Sequence, residues 1–328
     1  MREPIQTPSV RASVGASIGV ARYPISASNA GELLRNADIA MYQAKRAGGS
    51  QVWSFGKEDA LRLSHRRRLR ADLESASAAR QFELYYQPQL DLHTGRIFGA
   101  EALLRWNHPQ LGLLTPADFL DVLLESSAYE ATGDWLIRLA FRQAAKWQTE
   151  NSIPFKVAVN LSATTIQNCD LAALVAEAAE AACVCPSALD IEVTENVVMS
   201  DFAAASRALS EVRRLGVTVS LDDFGTGYSS LAYLTRLPVD RIKIDKSFVQ
   251  ELTAKETCHR AHAMVEAMVA LSRALGIRTV AEGIETEAQF ALVKELGCDA
   301  VQGYLIGKPV LAARIEPYAK ISFGTVGA

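Results

Sequence analysis

Seven apolar, strand-like runs of this 328-residue chain carry a polar side chain at or near their C-terminal ends, and most of these side chains are acids. In chain order they are Glu101, then Asn160, then Glu192 with Glu195 just beyond its run, then Asp222-Asp223, then Lys243 with Asp245, then Glu282, and finally Gln302. A carboxylate inside an apolar run is costly unless it is paired or bound to a cation. Lys243 is the single basic residue among these positions, and none of them is His or Cys, which argues against zinc or copper. An oxygen donor set with an amide suits Mg²⁺ or Mn²⁺, with Ca²⁺ able to bind in looser geometry. There are more acids than one ion needs, so the pattern points to two ions bridged by a carboxylate and a water. Two such ions about 4 Å apart suit hydrolysis of a phosphate ester, because they acidify a water and stabilise the oxygens of an in-line displacement.

The elements that must bring these residues together lie between about Gln81 and Tyr318, where strand-like runs alternate with longer helical stretches. Eight runs read as strands: Phe82 to Leu92, Ile97 to Trp106, Phe155 to Leu161, Leu189 to Thr194, Val217 to Leu221, Arg241 to Ile244, Thr279 to Ala281 and Ala300 to Tyr304. Eight strands over about 240 residues suit a TIM-like (β/α)8 barrel of the α/β class. Only His93-Thr94-Gly95-Arg96 joins the first two, too few for a crossover helix, so the barrel is expected to contain one antiparallel strand. Strand C-termini converge on one face of such a barrel, where active sites of this fold lie. Asp222 and Asp223 are neighbours and point to opposite faces of a regular strand. Both reach one cleft only if the strand breaks there, which Gly225 and Gly227 permit. Gly225-Thr226-Gly227 is by itself a weak phosphate-loop signal, and Asp245 and Glu285 read as salt-bridge or cap partners.

The rest of the chain is simpler. Ala16 to Tyr23, closed by Pro24, reads as a strand; Asn29 with Glu32 is an N-cap signature, and Leu33, Leu34, Ala37, Met41 and Ala44 follow at helical spacing up to Gly48-Gly49. One strand and one helix bury no core of their own, so this piece is docked elsewhere or is the remnant of a larger domain. From Glu58 to about Ser77 an exposed connecting helix is expected, with Arg66-Arg67-Arg68 on a solvated face. The chain has 34 basic and 37 acidic residues, net charge -3 and an estimated pI near 6.0, which gives no reason to expect a nucleic-acid polymer as partner. At 49% hydrophobic and 22% charged residues the composition excludes wholesale disorder. Neither a membrane-length apolar run nor a secretory signal is visible, so a cytoplasmic location is expected, with a membrane anchor still open to a longer parent. The five cysteines include no CxxC pair, and Cys183-Val184-Cys185 reads as small residues at a helix end.

Glu101-Ala102-Leu103-Leu104-Arg105-Trp106 resembles the signature of the EAL-domain family of cyclic di-GMP phosphodiesterases. The resemblance runs on through Val159-Asn160-Leu161-Ser162, Glu192-Val193-Thr194-Glu195, Asp222-Asp223-Phe224-Gly225-Thr226-Gly227-Tyr228-Ser229-Ser230, Ile242-Lys243-Ile244-Asp245, Ala281-Glu282-Gly283-Ile284-Glu285 and Gln302-Gly303-Tyr304, in order. Ala16 to Tyr23 and Leu33 to Lys45 resemble the last strand and helix of a GGDEF diguanylate cyclase domain, but the chain has no GGDEF or related acidic loop, so no cyclase activity is expected. The implied organisation is a GGDEF fragment over 1-56, a linker helix over 57-77 and an EAL phosphodiesterase domain over 78-328.

The resemblance also implies roles. Glu101, Asn160, Glu192 and Asp222 match ligands of a first metal, and Asp222 and Asp223 those of a second. Lys243 matches the lysine at the attacking water, while Glu282 and Gln302 match the acid and the amide that complete the site. Glu195 matches the glutamate that anchors a loop running from Asp223 to Ser230 and linked to dimerisation. Arg105, on the strand face of Glu101, is expected to meet a substrate phosphate, and Gln87, in Tyr86-Gln87-Pro88, a nucleotide. The expected activity is hydrolysis of cyclic di-GMP to linear pGpG with two Mg²⁺ or Mn²⁺ ions, Ca²⁺ being inhibitory, in a homodimer. Glu282 offers one proton route, but the residues leave the general base open. The rival reading is a silent cyclic di-GMP receptor that signals through a protein partner.

Overall fold

The computed structural model describes residues 5–6, 11–12, 15–76, 81–126, 128–151, 155–226, 231–254 and 257–319. Two compact units divide the chain, residues 1–75 and 76–328.

In the first unit Ile18–Val20 pairs in parallel with Val52–Ser54, and helix Ala30–Arg46 packs on the pair. The strand expected over 16–23 is thus three residues long, and its partner, too short to stand out in the sequence, adds a second. Asn29 caps the helix as its spacing predicts: its side-chain oxygen accepts the Glu32 N–H at 2.9 Å, and Glu32 accepts the Ser28 N–H at 2.8 Å. So little structure leaves Leu34, Tyr42 and Val52 at least 60% exposed, as a piece without its own core must. Helix Lys57–Ala76 follows the expected connecting segment, whose last residue, Ser77, lies outside the described residues. Its first turns are exposed, with Arg68 paired to Asp72 at 3.8 Å. The expectation of a helix exposed throughout fails at its end, where Leu69 and Leu73 are buried. They stand four apart on one face, a stripe that the intervening arginines hide in the sequence.

The second unit is an eight-stranded closed barrel: β1 (Phe82–Asp91), β2 (Arg96–His108), β3 (Lys156–Asn160), β4 (Leu189–Thr194), β5 (Thr218–Phe224), β6 (Arg241–Ile244), β7 (Arg278–Ala281) and β8 (Ala300–Gln302). Neighbours from β2 to β8 pair in parallel, while β1 runs antiparallel to both β2 and β8 and closes the ring. The single reversed strand is therefore the first. Two short strands extend the sheet beyond the ring, Gly112–Leu114 on β2 and Val310–Leu311 on β1. Ile191, Val193, Val219, Leu221, Ile242 and Ile244 are all buried, as strands covered by helices outside and by packed side chains inside the barrel require, and this is why the strands read as apolar runs. Residues between them in register, Glu192, Ser220, Asp222 and Lys243 among them, take the opposite face.

Strand ends double as helix starts. Ser162 accepts the Thr165 N–H to cap Ala163–Asn168, Thr194 accepts the Val197 N–H to cap Glu195–Ser200, and Asp245 accepts the Ser247 N–H to cap Lys246–Glu251. Asp245 is thus a cap, as expected. The last strand stops at Gln302 rather than Tyr304 because Gly303 lies against the Ile284 backbone, where a Cβ would sit 2.2 Å from its nitrogen. Cys183 is the left-handed C-cap residue of helix Leu171–Ala182, at a helix end as its spacing suggested.

A candidate metal centre at the C-terminal end of the barrel

Although β2 runs on to His108, only Gly99–Ala102 pairs with β3, so Glu101 sits at the barrel rim. Here Glu101, Glu192 and Asp222 each place a carboxylate oxygen within 4.8 Å of the others, and all three are buried. Asn160, paired in register with Glu192, donates its amide N–H to Glu101 at 2.7 Å and to Glu192 at 3.2 Å. Lys243 stands in the middle: its Nζ lies 2.7 Å from Glu192, 2.7 Å from Glu282, 3.2 Å from Asp222 and 3.6 Å from Glu101.

Four acids around one ammonium leave the site short of positive charge. Burial and the neighbouring Glu101 raise the Glu192 carboxyl well above its ordinary value, with Lys243 pulling it down. Burial likewise pushes Glu282 up, to about 8. Glu101 goes the other way, since Lys243 and the amides of Gln302 and Asn160 outweigh its burial and hold it low. The ammonium of Lys243, which burial alone lowers, is raised well above its usual value by the acids. Glu192 Oε1 is buried and has no hydrogen-bond partner among the described residues. An unpartnered carboxylate oxygen beside two further carboxylates, with donors that are oxygen throughout, fits a hard divalent ion. Asn160 has a donor end and an acceptor end, so its position serves either the bare carboxylates or an ion.

Asp223 marks the break its neighbourhood predicts. Its φ is +54°, Gly225 follows at +94°, and the register of β5 against β6 shifts between Leu221 and Phe224. The Asp223 side chain is exposed and is not one of the three carboxylates in the tight group. Burial, then repulsion from Asp222 and Asp245, raises its carboxyl. The loop expected from Asp223 to Ser230 is described as far as Thr226; Gly227, Tyr228, Ser229 and Ser230 lie outside the described residues. Glu195 is buried beside Leu221 and Phe224, and its Oε2 has no partner among the described residues. Arg105 lies over the Tyr85 ring at 5.5 Å.

Residues 70–309 match the EAL domain family. The chain belongs to it. Residues 1–51 match the diguanylate cyclase GGDEF domain. Over 313 residues the chain is 40% identical to the bifunctional diguanylate cyclase/cyclic di-GMP phosphodiesterase MucR of Pseudomonas aeruginosa, spanning 95% of this chain and 45% of MucR. The cyclic di-GMP phosphodiesterase PdeR of Escherichia coli is 33% identical over 322 residues, 98% of this chain and 48% of PdeR. A solved structure, the PaMucR phosphodiesterase in complex with c-di-GMP, aligns with a TM-score of 0.72 at 42% identity, over 76% of this chain and 99% of that one. This chain thus spans less than half the length of the curated relatives it matches.

Within the EAL barrel, Glu101, Asn160, Glu192, Asp222, Lys243, Glu282 and Gln302 form one connected group, in which Gln302 Nε2 donates to Glu101 at 2.6 Å. Gln87 faces Glu101 in the β1–β2 register, and its amide is engaged at both ends, by Gln302 and by the Gly307 carbonyl. Sequence reading passed over Gln89, buried and bonded to Gln302 at 2.9 Å. Its signal was the spacing Gln87-Pro88-Gln89, which in a strand puts both amides on one face. No helix among the described residues is long and apolar enough to cross a membrane.

Proposed function

We propose that this chain hydrolyses cyclic di-GMP to linear pGpG, in bacterial second-messenger signalling, with two divalent cations, Mg²⁺ or Mn²⁺, and that Ca²⁺ inhibits it. The observation that carries the reading is the convergence of Glu101, Glu192 and Asp222, with Asn160, on one point that a single lysine underneutralises. The names of the relatives, cyclic di-GMP phosphodiesterases, support the substrate. Glu101, Asn160, Glu192 and Asp222 would hold one ion, and Asp222 with Asp223 the other. When bound, such ions polarise a phosphoryl oxygen and make a nucleophile available at neutral pH.

The chain's own residues supply the rest. Lys243 orients the attacking water from a position fixed by four acids. The water adds to phosphorus as one ester P–O bond breaks, which opens the ring and leaves a phosphomonoester at one end. Glu282, 2.7 Å from Lys243 Nζ, is placed to take the water's proton when ionised and to return it to the leaving ribose oxygen, so that no proton is gained or lost over the step. Arg105 is the cation for a phosphate oxygen, Gln87 the nucleotide contact, and Gln302 the amide that steadies Glu101. Glu195 anchors the loop after Asp223, and that loop is proposed to sit near a homodimer contact. The organisation that goes with this reading is a GGDEF fragment over 1-56, a linker helix over 57-77 and the phosphodiesterase over 78-328.

The deciding assay incubates the pure chain with cyclic di-GMP and Mg²⁺ and identifies the product. Appearance of pGpG, its loss on chelation with EDTA and its return with Mg²⁺ are expected. Glu101→Ala should remove turnover while leaving the circular dichroism spectrum unchanged. Retained cyclic di-GMP binding without turnover in the parent chain would make it a receptor instead.

A further inference from the structure

Three glutamine side chains form a continuous line along one wall of the barrel. Gln87 Nε2 donates to the Gly307 carbonyl at 3.0 Å; Gln302 Nε2 donates to Gln87 Oε1 at 3.0 Å and to Glu101 at 2.6 Å; Gln89 Nε2 donates to Gln302 Oε1 at 2.9 Å. All three glutamines are buried. An amide has a donor end and an acceptor end, and which way it points follows from its partners. Two groups at its edge, the Gly307 carbonyl and the Glu101 carboxylate, are acceptors only. The Gly307 carbonyl forces the nitrogen of Gln87 toward itself, which leaves the oxygen of Gln87 facing Gln302. Gln302 must therefore present its nitrogen there, and the same NH₂ group reaches the ionised Glu101. Its oxygen is left facing β1, where the register sets Gln89 directly opposite Gln302. That oxygen needs a donor.

We infer that Gln89 is a positioning residue for the metal centre: by donating to Gln302 Oε1 it locks the Gln302 amide with its NH₂ toward Glu101, and so holds that carboxylate in the orientation that receives a cation. The inference rests on the metal-centre reading of Glu101 given above. It requires only a donor at position 89, whatever its charge. An acceptor there would face the Gln302 oxygen and drive the amide to turn over, setting its oxygen against the Glu101 carboxylate. A side chain of similar size with neither function would leave the oxygen buried and unpaired.

Direct Mn²⁺ binding to the purified chain, read by titration calorimetry without substrate, tests this with three variants. Gln89→Lys keeps a donor; charge alone would make it bind a cation more weakly than Gln89→Glu does, so an affinity within about threefold of the parent reports the retained lock on Gln302. Gln89→Glu should bind on the order of 10–100-fold more weakly, the range expected when a partner supporting a metal ligand is lost. Gln89→Met should fall between. Equal affinities for Gln89→Glu and the parent, or a Gln89→Lys as weak as Gln89→Glu, would overturn the inference. Loss of Mn²⁺ binding in the parent itself would overturn the metal reading instead. The line of amides is then read separately by NMR exchange of the Gln302 side-chain protons, slow in the parent and Gln89→Lys and fast in Gln89→Glu. Equal exchange in all three would overturn the positioning role on its own.

Discussion

The two ends of the barrel use the same residue types to opposite effect. At the end carrying the candidate metal centre, four acids crowd one lysine. Two residues earlier on the same strands, Asp190 pairs with Arg241 and accepts the Ser220 hydroxyl at 2.8 Å, with the guanidinium over the Phe98 ring at 4.7 Å. Around this second end Arg278 meets Asp91 at 2.6 Å, and Arg213 meets Asp240 at 2.6 Å. Here Asp190 and Asp240 each have their own arginine, while Asp91 and Asp299 share Arg278, with His93 also at Asp299. One end is neutralised largely by its own side chains, whereas the other keeps four acids around one lysine and could hold a cation. Asp190 and Glu192 lie two apart on β4, as do Arg241 and Lys243 on β6, so a single step along the interior separates architecture from chemistry.

The comparison breaks most visibly through Glu192→Gln. Turnover should fall to background, yet the metal-free fold should lose less than about 1 kcal/mol in urea unfolding, because the change relieves repulsion as it removes an oxygen. Asp190→Asn should do the reverse. It strands the buried Arg241 and should cost about 3–5 kcal/mol of stability, a figure the same urea titration reads. An Asp190→Asn protein as stable as its parent would remove the distinction between the ends. Divalent cation should come next in size. At about 100 times its dissociation constant, Mg²⁺ or Mn²⁺ adds about 2.7 kcal/mol, or about 5–10 °C of melting temperature in a domain of this length. Glu192→Gln should abolish that shift.

The pH response comes last, and its sign differs between the ends. Burial raises Glu282 to about 8 from an ordinary 4.5, so the folded chain binds more protons than the unfolded one in that window, and the metal-free protein should lose stability as pH rises through it. Asp91 and Asp299 are held low, Asp91 chiefly by Arg278 against its burial and Asp299 by Thr279 against its own. Their contribution is present above the ordinary aspartate value and is lost as pH falls through the lowered one. Melting curves from pH 3 to pH 9, with and without Mg²⁺, separate the two: the cation should flatten the upper slope alone.

At the chemical end the polar residues could be picked out because each interrupts an apolar run near its C-terminal end. The helix caps two residues on, Ser162 after Asn160 and Thr194 after Glu192, appear only in the structure. The balanced end was not legible. Leu189-Asp190-Ile191-Glu192 alternates evenly, and nothing in the local pattern tells the acid that finds an arginine from the acid that does not. That partner is set by register across β4, β5 and β6. The same limit hid Gln89, whose role depends on lying opposite Gln302, and the strands Gly112–Leu114 and Val310–Leu311, which exist because a longer strand offers them an edge. The break at Asp223 was expected for a local reason: neighbouring residues of a regular strand face opposite ways, and the glycine at 225 permits the strand to break.

The reversal of β1 has a consequence for how the molecule is addressed. Had the first strand run with the others, the polypeptide would enter the barrel at its balanced end. Running against them, it arrives at Phe82, opposite Trp106, on the side where the acids gather. The strand that begins there goes on to carry Gln87 and Gln89, so the first strand belongs to the wall of the cleft rather than to its far floor.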